Sequence, residues 1–138
     1  TSDLAKELDC AHTRERLPFI TSLGLCLLAA RASGLSILDG VYLDLNDEPG
    51  FEYACSQGVE MGFDGKTLIH PKQVAACNQA FTPRAEDVVW SRKIIEAHAA
   101  AAMRGEGVCV VDGKLIENLH VESAKRLVAM AEMIDRMQ

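Results

Sequence analysis

The sequence predicts an α/β fold built on a parallel sheet, and three observations carry this prediction. Segments with helical periodicity alternate with short apolar runs, and only a few residues connect one segment to the next. The segment Lys66-Thr67-Leu68-Ile69 is too short for a helix and suits a buried strand, and Pro71 ends it because proline lacks an N–H. With 138 residues, 49% of them hydrophobic and 25% charged, the chain is long enough for one compact domain with a buried core.

The first half of the chain supplies most of these alternating segments. Ser2 or Asp3 is expected to cap a short first helix, because both side chains can accept hydrogen bonds from free backbone N–H groups. Apolar residues cover most of the helix predicted at residues 19–33, which indicates burial, and Gly34 ends it. The further predicted elements are an approach and strand at 36–44, a helix at 51–57, a strand at 66–69 and a helix from 72 to 80.

The last third of the chain reads as helix, hairpin and helix. A helix start is expected at Thr82, as the N-cap, with Pro83 at the first helical position. A long helix is then predicted over 88–104. Short apolar runs on either side of Asp112 and Gly113 predict a β-hairpin. An amphipathic helix at 120–137 follows, and Trp90 is expected to anchor a core or an interface.

Charge and cysteine content exclude several classes of protein. A net charge of −6 gives no basic surface for nucleic acid or for an anionic membrane, and no apolar run reaches membrane-spanning length. The five cysteines are an odd, scattered set without C-x-x-C spacing. This pattern argues against a disulfide framework or a zinc site and favours reduced thiols in the cytoplasm.

Two places in the chain are candidate sites on chemical grounds alone. His70 and Pro71 fall where a strand passes into a helix, at the edge of a parallel sheet where ligands bind. His70 can equally be a hydrogen-bonded loop residue that caps the helix. Asp44, Asp47 and Glu48 crowd the preceding turn, and a solvated loop with a helix cap is favoured there over a substrate-facing site.

The stretch around His70 also carries a resemblance to a known family. Gly62, Gly65, Lys66, Ile69, His70, Pro71 and Gln73 follow the pattern G-x-x-G-K-x-x-I-H-P-x-Q. This pattern resembles the signature of the citrate lyase beta-subunit-like and malyl-CoA lyase family of the HpcH/HpaI aldolase superfamily. The resemblance implies that residues 1–82 are the last βα units of a (β/α)8 TIM barrel and that 83–138 are a C-terminal helix-hairpin-helix extension. Since it covers only the C-terminal part of such a barrel, the chain is expected to be part of a longer protein.

The resemblance also implies a set of site residues. Asp3, within Ser2-Asp3-Leu4, matches the aspartate that binds Mg²⁺ in this family, while Asp9 stands where relatives often have glycine. Glu117 stands where many relatives have the aspartate that serves as acid or base, and Leu119 replaces a proline two residues later. His70 and Pro71 would shape the mouth that receives acyl-CoA, and Lys66 would be either a charge inside the barrel or a substrate contact.

The implied activity is that of a Mg²⁺-dependent lyase. Relatives cleave or form a C–C bond in a 3-hydroxyacyl-CoA of the malyl-CoA, citramalyl-CoA or citryl type, with acyl-CoA and a small carboxylic or oxo acid as partners. The resemblance further implies a homo-oligomer, a trimer or hexamer, in which residues 83–138 of one subunit cover the active site of another. Two alternatives stay open: a thioesterase or CoA transferase on the same scaffold, and a non-catalytic barrel fragment that acts in oligomerisation.

Overall fold

The computed structural model describes residues 1–137, and these form a helix-rich α/β protein. The chain divides into two compact units, Thr1–Phe81 and Thr82–Gln138. The helices are α1 Ser2–Glu7, α2 Ile20–Ala32, α3 Glu48–Met61, α4 Lys72–Phe81, α5 Ala85–Met103 and α6 Asn118–Met137, with a 3-10 turn at Leu17–Phe19. The strands are β1 Leu38–Asp39, β2 Gly65–Lys66, β3 Cys109–Val111 and β4 Lys114–Ile116.

A parallel pair of strands forms the centre of the first unit. Leu38 lies opposite Gly65 and Asp39 lies opposite Lys66, with α3 as the crossover between β1 and β2. Helices pack around this pair because their buried faces are apolar. One buried cluster centres on Phe19 of the 3-10 turn, and another joins α3 to α4. The alternation of helix and parallel strand that the sequence predicts is therefore confirmed.

The two parallel strands are shorter than the sequence predicts. The ladder ends after Thr67, whose N–H donates to the Asp39 carbonyl at 2.9 Å. Beyond it, the Gln73 side chain forms hydrogen bonds with the backbone of both segments. Its Oε1 accepts from the Ile69 N–H at 3.2 Å, and its Nε2 donates to the Tyr42 carbonyl at 2.9 Å. The amide thus satisfies backbone groups that a longer ladder would have paired.

The N-cap of α3 explains why this helix begins three residues before its predicted start. Asp47 Oδ1 accepts from the Gly50 N–H at 3.0 Å, and the Tyr42 hydroxyl donates to Asp47 Oδ2 at 2.6 Å. At its other end Gly62 has φ 96°, a left-handed conformation that suits glycine. The favoured interpretation of the acidic turn, a loop that caps the next helix, is confirmed for Asp47.

Helix α2 differs from the prediction in how much of it is buried. Leu23 and Leu27 face the core, but Leu25 and Leu28 are 62% and 69% exposed. Hydropathy alone shows that a helix can be buried, whereas burial requires a packing partner on each apolar face. In the described residues α2 has such a partner on one face only.

Three backbone details correct or refine the predicted helix boundaries. Thr1, not Ser2 or Asp3, is the N-cap of α1, and no side chain caps it. Arg84, not Thr82, is the N-cap of α5, and its guanidinium holds Asp87 of the first turn at 2.7 Å. Asp9 has φ 50°, so the chain adopts at this position the left-handed turn for which relatives were expected to use glycine.

The second unit is the predicted helix, hairpin and helix. Asp112 has φ 47° and Gly113 has φ 77°, the positive pair of a two-residue type I′ turn. One face of the hairpin shares a core with α5 and α6, and Trp90 lies partly buried against this core with Lys114 Nζ 5.4 Å from its ring centroid. The buried residues are Ile94, Val111, Ile116, Val121 and Ala124.

No helix within residues 1–137 is long and apolar enough to cross a membrane.

Candidate functional site

A buried cluster of three charged side chains lies where the two parallel strands meet. Asp39 Oδ1 accepts from Arg16 Nη1 at 2.6 Å, and Asp39 Oδ2 accepts from Lys66 Nζ at 2.8 Å. All three residues are at most 8% exposed. The parallel register that sets Asp39 opposite Lys66 brings the carboxylate and the ammonium together.

The geometry around Asp39 keeps this carboxyl ionised. Burial on its own would raise the pKa of Asp39, but hydrogen bonds and the positive charges of Lys66 and Arg16 outweigh it. The pKa of Asp39 therefore lies below its ordinary value. Gly58 of α3 makes room for the carboxylate, because an added Cβ there would lie 3.1 Å from Asp39 Oδ2.

A second set of contacts orients Arg16. Its Nε donates to Gln57 Oε1 at 2.7 Å, and Gln57 Nε2 donates in turn to the Glu15 carbonyl at 2.8 Å. Arg16 itself has φ 58°, an uncommon conformation for a residue with a side chain. The interactions of its side chain with Asp39 and Gln57 offset this cost and draw the loop at residues 9–16 against the sheet.

A cavity of about 280 Å³ opens beside the charged cluster. The loop at residues 9–16 forms one side of it, and the residues after β1 form another. Basic, acidic, hydroxyl and apolar groups line this space, which is large enough for a small ligand. Among the lining residues are Thr1, Thr13, Arg14, Arg16, Asp47 and Lys66.

Two covered polar atoms of residues that line this cavity have no hydrogen-bond partner in the described part of the chain. They are Nη2 of Arg16 and Oγ1 of Thr13, and both are fully covered. Buried polar groups in proteins are almost always paired, and an unpaired donor on a charged group is costly.

The expected metal ligand, Asp3, is an exposed residue in the first turn of α1. Thr1, two residues before it, lines the cavity, whereas Asp3 is not among the lining residues. Within residues 1–137 no three His, Cys, Asp or Glu side chains cluster closely enough to hold a metal ion. Mg²⁺ often uses one or two carboxylates and completes its shell with water and substrate oxygens, so Asp3 fits as one ligand of such an ion.

The signature residues His70 and Pro71 lie where β2 leads into α4. Half-buried His70 accepts a hydrogen bond at Nδ1 from the Lys72 N–H at 3.1 Å, and Pro71 is exposed. This is the geometry of the alternative in which His70 caps the helix. A second cavity, of about 300 Å³, lies nearby between the acidic turn and α4, with Lys72 and Gln73 in its wall.

Glu117, the expected acid or base, occupies the junction between β4 and α6 in the second unit. It is exposed, and its backbone N–H donates to His120 Nδ1 at 3.0 Å. The hydrogen bonds of residues 1–137 include none to its carboxylate. The imidazole therefore fixes the backbone at this junction and leaves the carboxylate available.

Two cysteines lie in the buried cluster that joins α3 to α4. Cys55 of α3 and Cys77 of α4 are buried, and burial together with the neighbouring Cys77 thiol raises the pKa of Cys55 to about 12. A thiol with that pKa stays protonated at neutral pH and is a poor nucleophile. None of the five cysteines, which all lie within residues 1–137, forms a disulfide in the described part of the chain.

The sequence does not predict the buried cluster. It places Arg16 in a polar loop and Asp39 in an ordinary strand. Lys66 is a candidate residue, but no partner is predicted for it. One available signal is that Asp39 and Lys66, an acid and a base, fall in two strands that are expected to be parallel neighbours. Nothing in the sequence marks Thr13, since its significance depends on the fold of the loop around it.

Comparison with known proteins shows what the chain is similar to. Residues 1–71 match the sequence model of a family described as HpcH/HpaI aldolase/citrate lyase. A (3S)-malyl-CoA thioesterase from Cereibacter sphaeroides is 50% identical over 97% of the chain, and the citrate lyase subunit beta of Escherichia coli is 36% identical over 95%. The chain covers 47% and 43% of these two relatives, so it spans about half the length of the curated relatives it matches.

A solved structure shows the same likeness in three dimensions. It is the protein CitE from Mycobacterium tuberculosis in complex with magnesium, acetoacetate and coenzyme A. The match has a TM-score of 0.69 at 27% identity and covers 95% of this chain and 49% of that one.

Proposed function

We propose, on the premise that this chain belongs to the HpcH/HpaI aldolase/citrate lyase family, that its protein hydrolyses the thioester of a 3-hydroxyacyl-CoA of the malyl-CoA type. The observation that carries the proposal is the 50% identity to a (3S)-malyl-CoA thioesterase over 97% of the chain. Identity to the citrate lyase subunit is lower, 36% over 95% of the chain. The thioesterase alternative is thus favoured over the lyase that the sequence signature alone implied.

The proposed architecture is that of the longer relatives. Residues 1–82 would form the last βα units of a (β/α)8 barrel, and 83–138 would form an extension that covers the site of a second subunit in a homo-oligomer. A parallel β1–α3–β2 unit followed by α4 supports the first part, because it is the repeating unit of such a barrel. The separate core of the second unit and the exposed Glu117 support the other part.

Asp3 would hold Mg²⁺ together with ligands from the rest of the protein. The complex of the M. tuberculosis relative with magnesium and coenzyme A supports this cofactor. When bound, the ion supplies a Lewis acid that polarises a carbonyl oxygen of the substrate. Asp3 is suited to this role because it is exposed on a short helix adjacent to the cavity residue Thr1.

Glu117 would carry out the proton transfer. As a carboxylate it can take a proton from a water molecule while the water oxygen attacks the thioester carbon. The thiolate of coenzyme A then leaves, takes up a proton and is released as the free thiol. His70 and Pro71 would shape the entrance for the acyl-CoA, and Lys66, held by Asp39, would act through the charge it brings to the cavity.

Carbon–carbon lyase activity is the second candidate. The 36% identity to citrate lyase subunit beta over 95% of the chain favours it specifically. In this reaction Glu117 would handle the proton at the acyl carbon next to the thioester, and the same metal and coenzyme A sites would serve. The two reactions thus share residues and differ in the bond that breaks.

Product analysis separates the two candidates. The complete protein is incubated with (3S)-malyl-CoA and Mg²⁺, and free thiol and glyoxylate are measured in the same sample. Hydrolysis releases one thiol for each malyl-CoA consumed and no glyoxylate, and this is the expected result. Glyoxylate in step with substrate loss, without free thiol, would show a lyase, and no turnover with any 3-hydroxyacyl-CoA would contradict both candidates.

A further inference from the structure

We propose that the cavity beside Arg16 and Thr13 binds a small oxyanion, through a carboxylate or phosphate group. The proposal rests on the geometry of this chain and does not depend on which thioester reaction the complete protein carries out. Three observations support it: an excess of buried positive charge, two polar groups without partners, and a cavity of suitable size at the same place.

The charge balance of the cluster is positive. Arg16 and Lys66 each carry one positive charge, and Asp39 supplies a single negative charge between them. Their side chains are at most 6% exposed, so solvent screens this surplus only weakly. A buried charge without a counterion is unfavourable, and an anion in the adjoining cavity would remove that cost.

The acidic residues of the cavity wall do not supply the missing counterion. Asp47 already accepts from the Tyr42 hydroxyl and the Gly50 N–H, and it lies 3.6 Å from Arg14. Asp44 is exposed and accepts from the Asn46 N–H at 2.9 Å. In the described residues neither carboxylate forms an ion pair with Arg16 or Lys66.

The unpartnered groups are matched to an oxyanion. Arg16 uses Nε on Gln57 and Nη1 on Asp39, which leaves both N–H groups of Nη2 unused. The Thr13 hydroxyl is also unpaired, and the Arg16 N–H donates to the Thr13 carbonyl at 3.1 Å, so one tight turn carries both residues. Charge-assisted hydrogen bonds to carboxylate or phosphate oxygens are the strongest that a guanidinium forms.

The size of the cavity limits the ligand. A volume of about 280 Å³ accommodates a small carboxylic acid or a phosphate, but not a whole coenzyme A. Because Nη2 and Oγ1 are covered, entry of the anion requires side-chain rotation in this wall, and Thr13 is only half-buried. The anion can therefore be a free acid or the phosphate of a larger ligand that reaches in from outside.

Two substitutions test the site without removing its internal ion pairs. Thr13→Val removes the hydroxyl and keeps the shape, and Arg16→Lys keeps a positive charge for Asp39 but loses Nη2. Thr21→Val in α2 and Arg92→Lys in α5 are the matched controls, since both residues are exposed and neither lines this cavity. The complete protein is used, with EDTA present and no CoA ester, so that neither metal nor thioester contributes to binding.

The measurement is the rise of the melting temperature with sodium malate, sodium phosphate or sodium chloride at equal ionic strength. We expect malate or phosphate to stabilise the wild type well beyond chloride, and the concentration dependence gives a Kd. Thr13→Val and Arg16→Lys should each weaken the binding about tenfold, as expected for the loss of a charge-assisted hydrogen bond, while the controls bind like the wild type. A stronger effect of malate identifies a carboxylate site, and a stronger effect of phosphate identifies a phosphate site.

The proposal is overturned if neither anion stabilises more than chloride does, or if Thr13→Val binds like the wild type. Thr13→Val decides the matter even where Arg16→Lys fails to fold. Since no CoA ester is present, anion binding can be found in a protein that lacks thioesterase activity. Thioesterase activity can likewise be found in a protein that does not bind an anion in this cavity. The two proposals therefore fail independently.

Discussion

At the scale of single residues, Asp39 links the loop at residues 9–16 to both parallel strands of the first unit. It lies in β1, it is 1% exposed, and it is the shared acceptor for Arg16 and Lys66. Removal of this charge would leave two buried cations next to each other. Breaking a buried ion pair in this way is far more costly than losing an exposed one.

Asp39→Asn is therefore expected to lower the free energy of unfolding by about 3–5 kcal/mol, because the two buried cations lose their counterion. Urea denaturation of the complete protein measures the change. The matched control is Asp112→Asn, which removes an exposed ion pair with Lys93 and should cost less than about 1 kcal/mol. Equal effects of the two substitutions would contradict the assigned role of Asp39.

The pH dependence of stability follows from the same residue. The pKa of Asp39 is lower in the folded protein than its ordinary value near 3.9, so the ionised carboxylate stabilises the folded state. This contribution is complete above about pH 4 and is lost as the pH falls through the lower folded-state pKa. A lower pH should thus reduce the difference in the free energy of unfolding between the wild type and Asp39→Asn. A difference that increases below pH 4 would contradict a lowered pKa of Asp39 in the folded protein.

At the scale of elements, the start of helix α3 joins the loop after β1 to the core. Gly50 is required there, because an added Cβ would overlap the Asp47 carboxylate and the Tyr42 hydroxyl. These are the two groups that form the cap. Gly24 in α2 is a helical glycine with no atom near the position of a Cβ.

Gly50→Ala should accordingly destabilise the protein by about 1–3 kcal/mol, through overpacking and loss of the cap. Gly24→Ala should stabilise it by about 0.5–1 kcal/mol, because alanine is the better helix former. Thermal unfolding of the two variants gives the comparison. A gain in stability with Gly50→Ala would show that the cap does not set the start of α3.

The hairpin turn depends on local sequence and was predictable, whereas strand length and helix burial depend on neighbouring elements and were not. Asp112 and Gly113 adopt the positive φ values of a hairpin turn, as the residue types require. The length of β2 was overestimated because Gln73 replaces part of its ladder with side-chain hydrogen bonds. The exposure of Leu25 and Leu28 could not be predicted, since apolar character does not show which face of a helix has a partner.

At the scale of the whole molecule, the candidate residues fall into two units with separate cores. Asp3, Lys66, His70 and Pro71 belong to the first unit, and Glu117 belongs to the second. The signature predicted the family correctly, but it could not reveal the cluster around Asp39. That cluster forms only when the loop at residues 9–16 and both strands come together in the fold.

Complementation between two variants of the complete protein tests most directly whether this chain supplies carboxylates to a site shared between subunits. Asp3→Asn and Glu117→Gln are each expected to lower turnover by at least about 100-fold, while Glu7→Gln and Glu96→Gln, at exposed positions in α1 and α5, should leave it unchanged. The two inactive variants are then mixed under conditions in which native mass spectrometry demonstrates subunit exchange. If Glu117 acts in the site of a second subunit, some sites in the mixed oligomers contain both carboxylates, and thioester hydrolysis should partly return. Absence of activity in mixed oligomers of demonstrated composition would contradict the shared site.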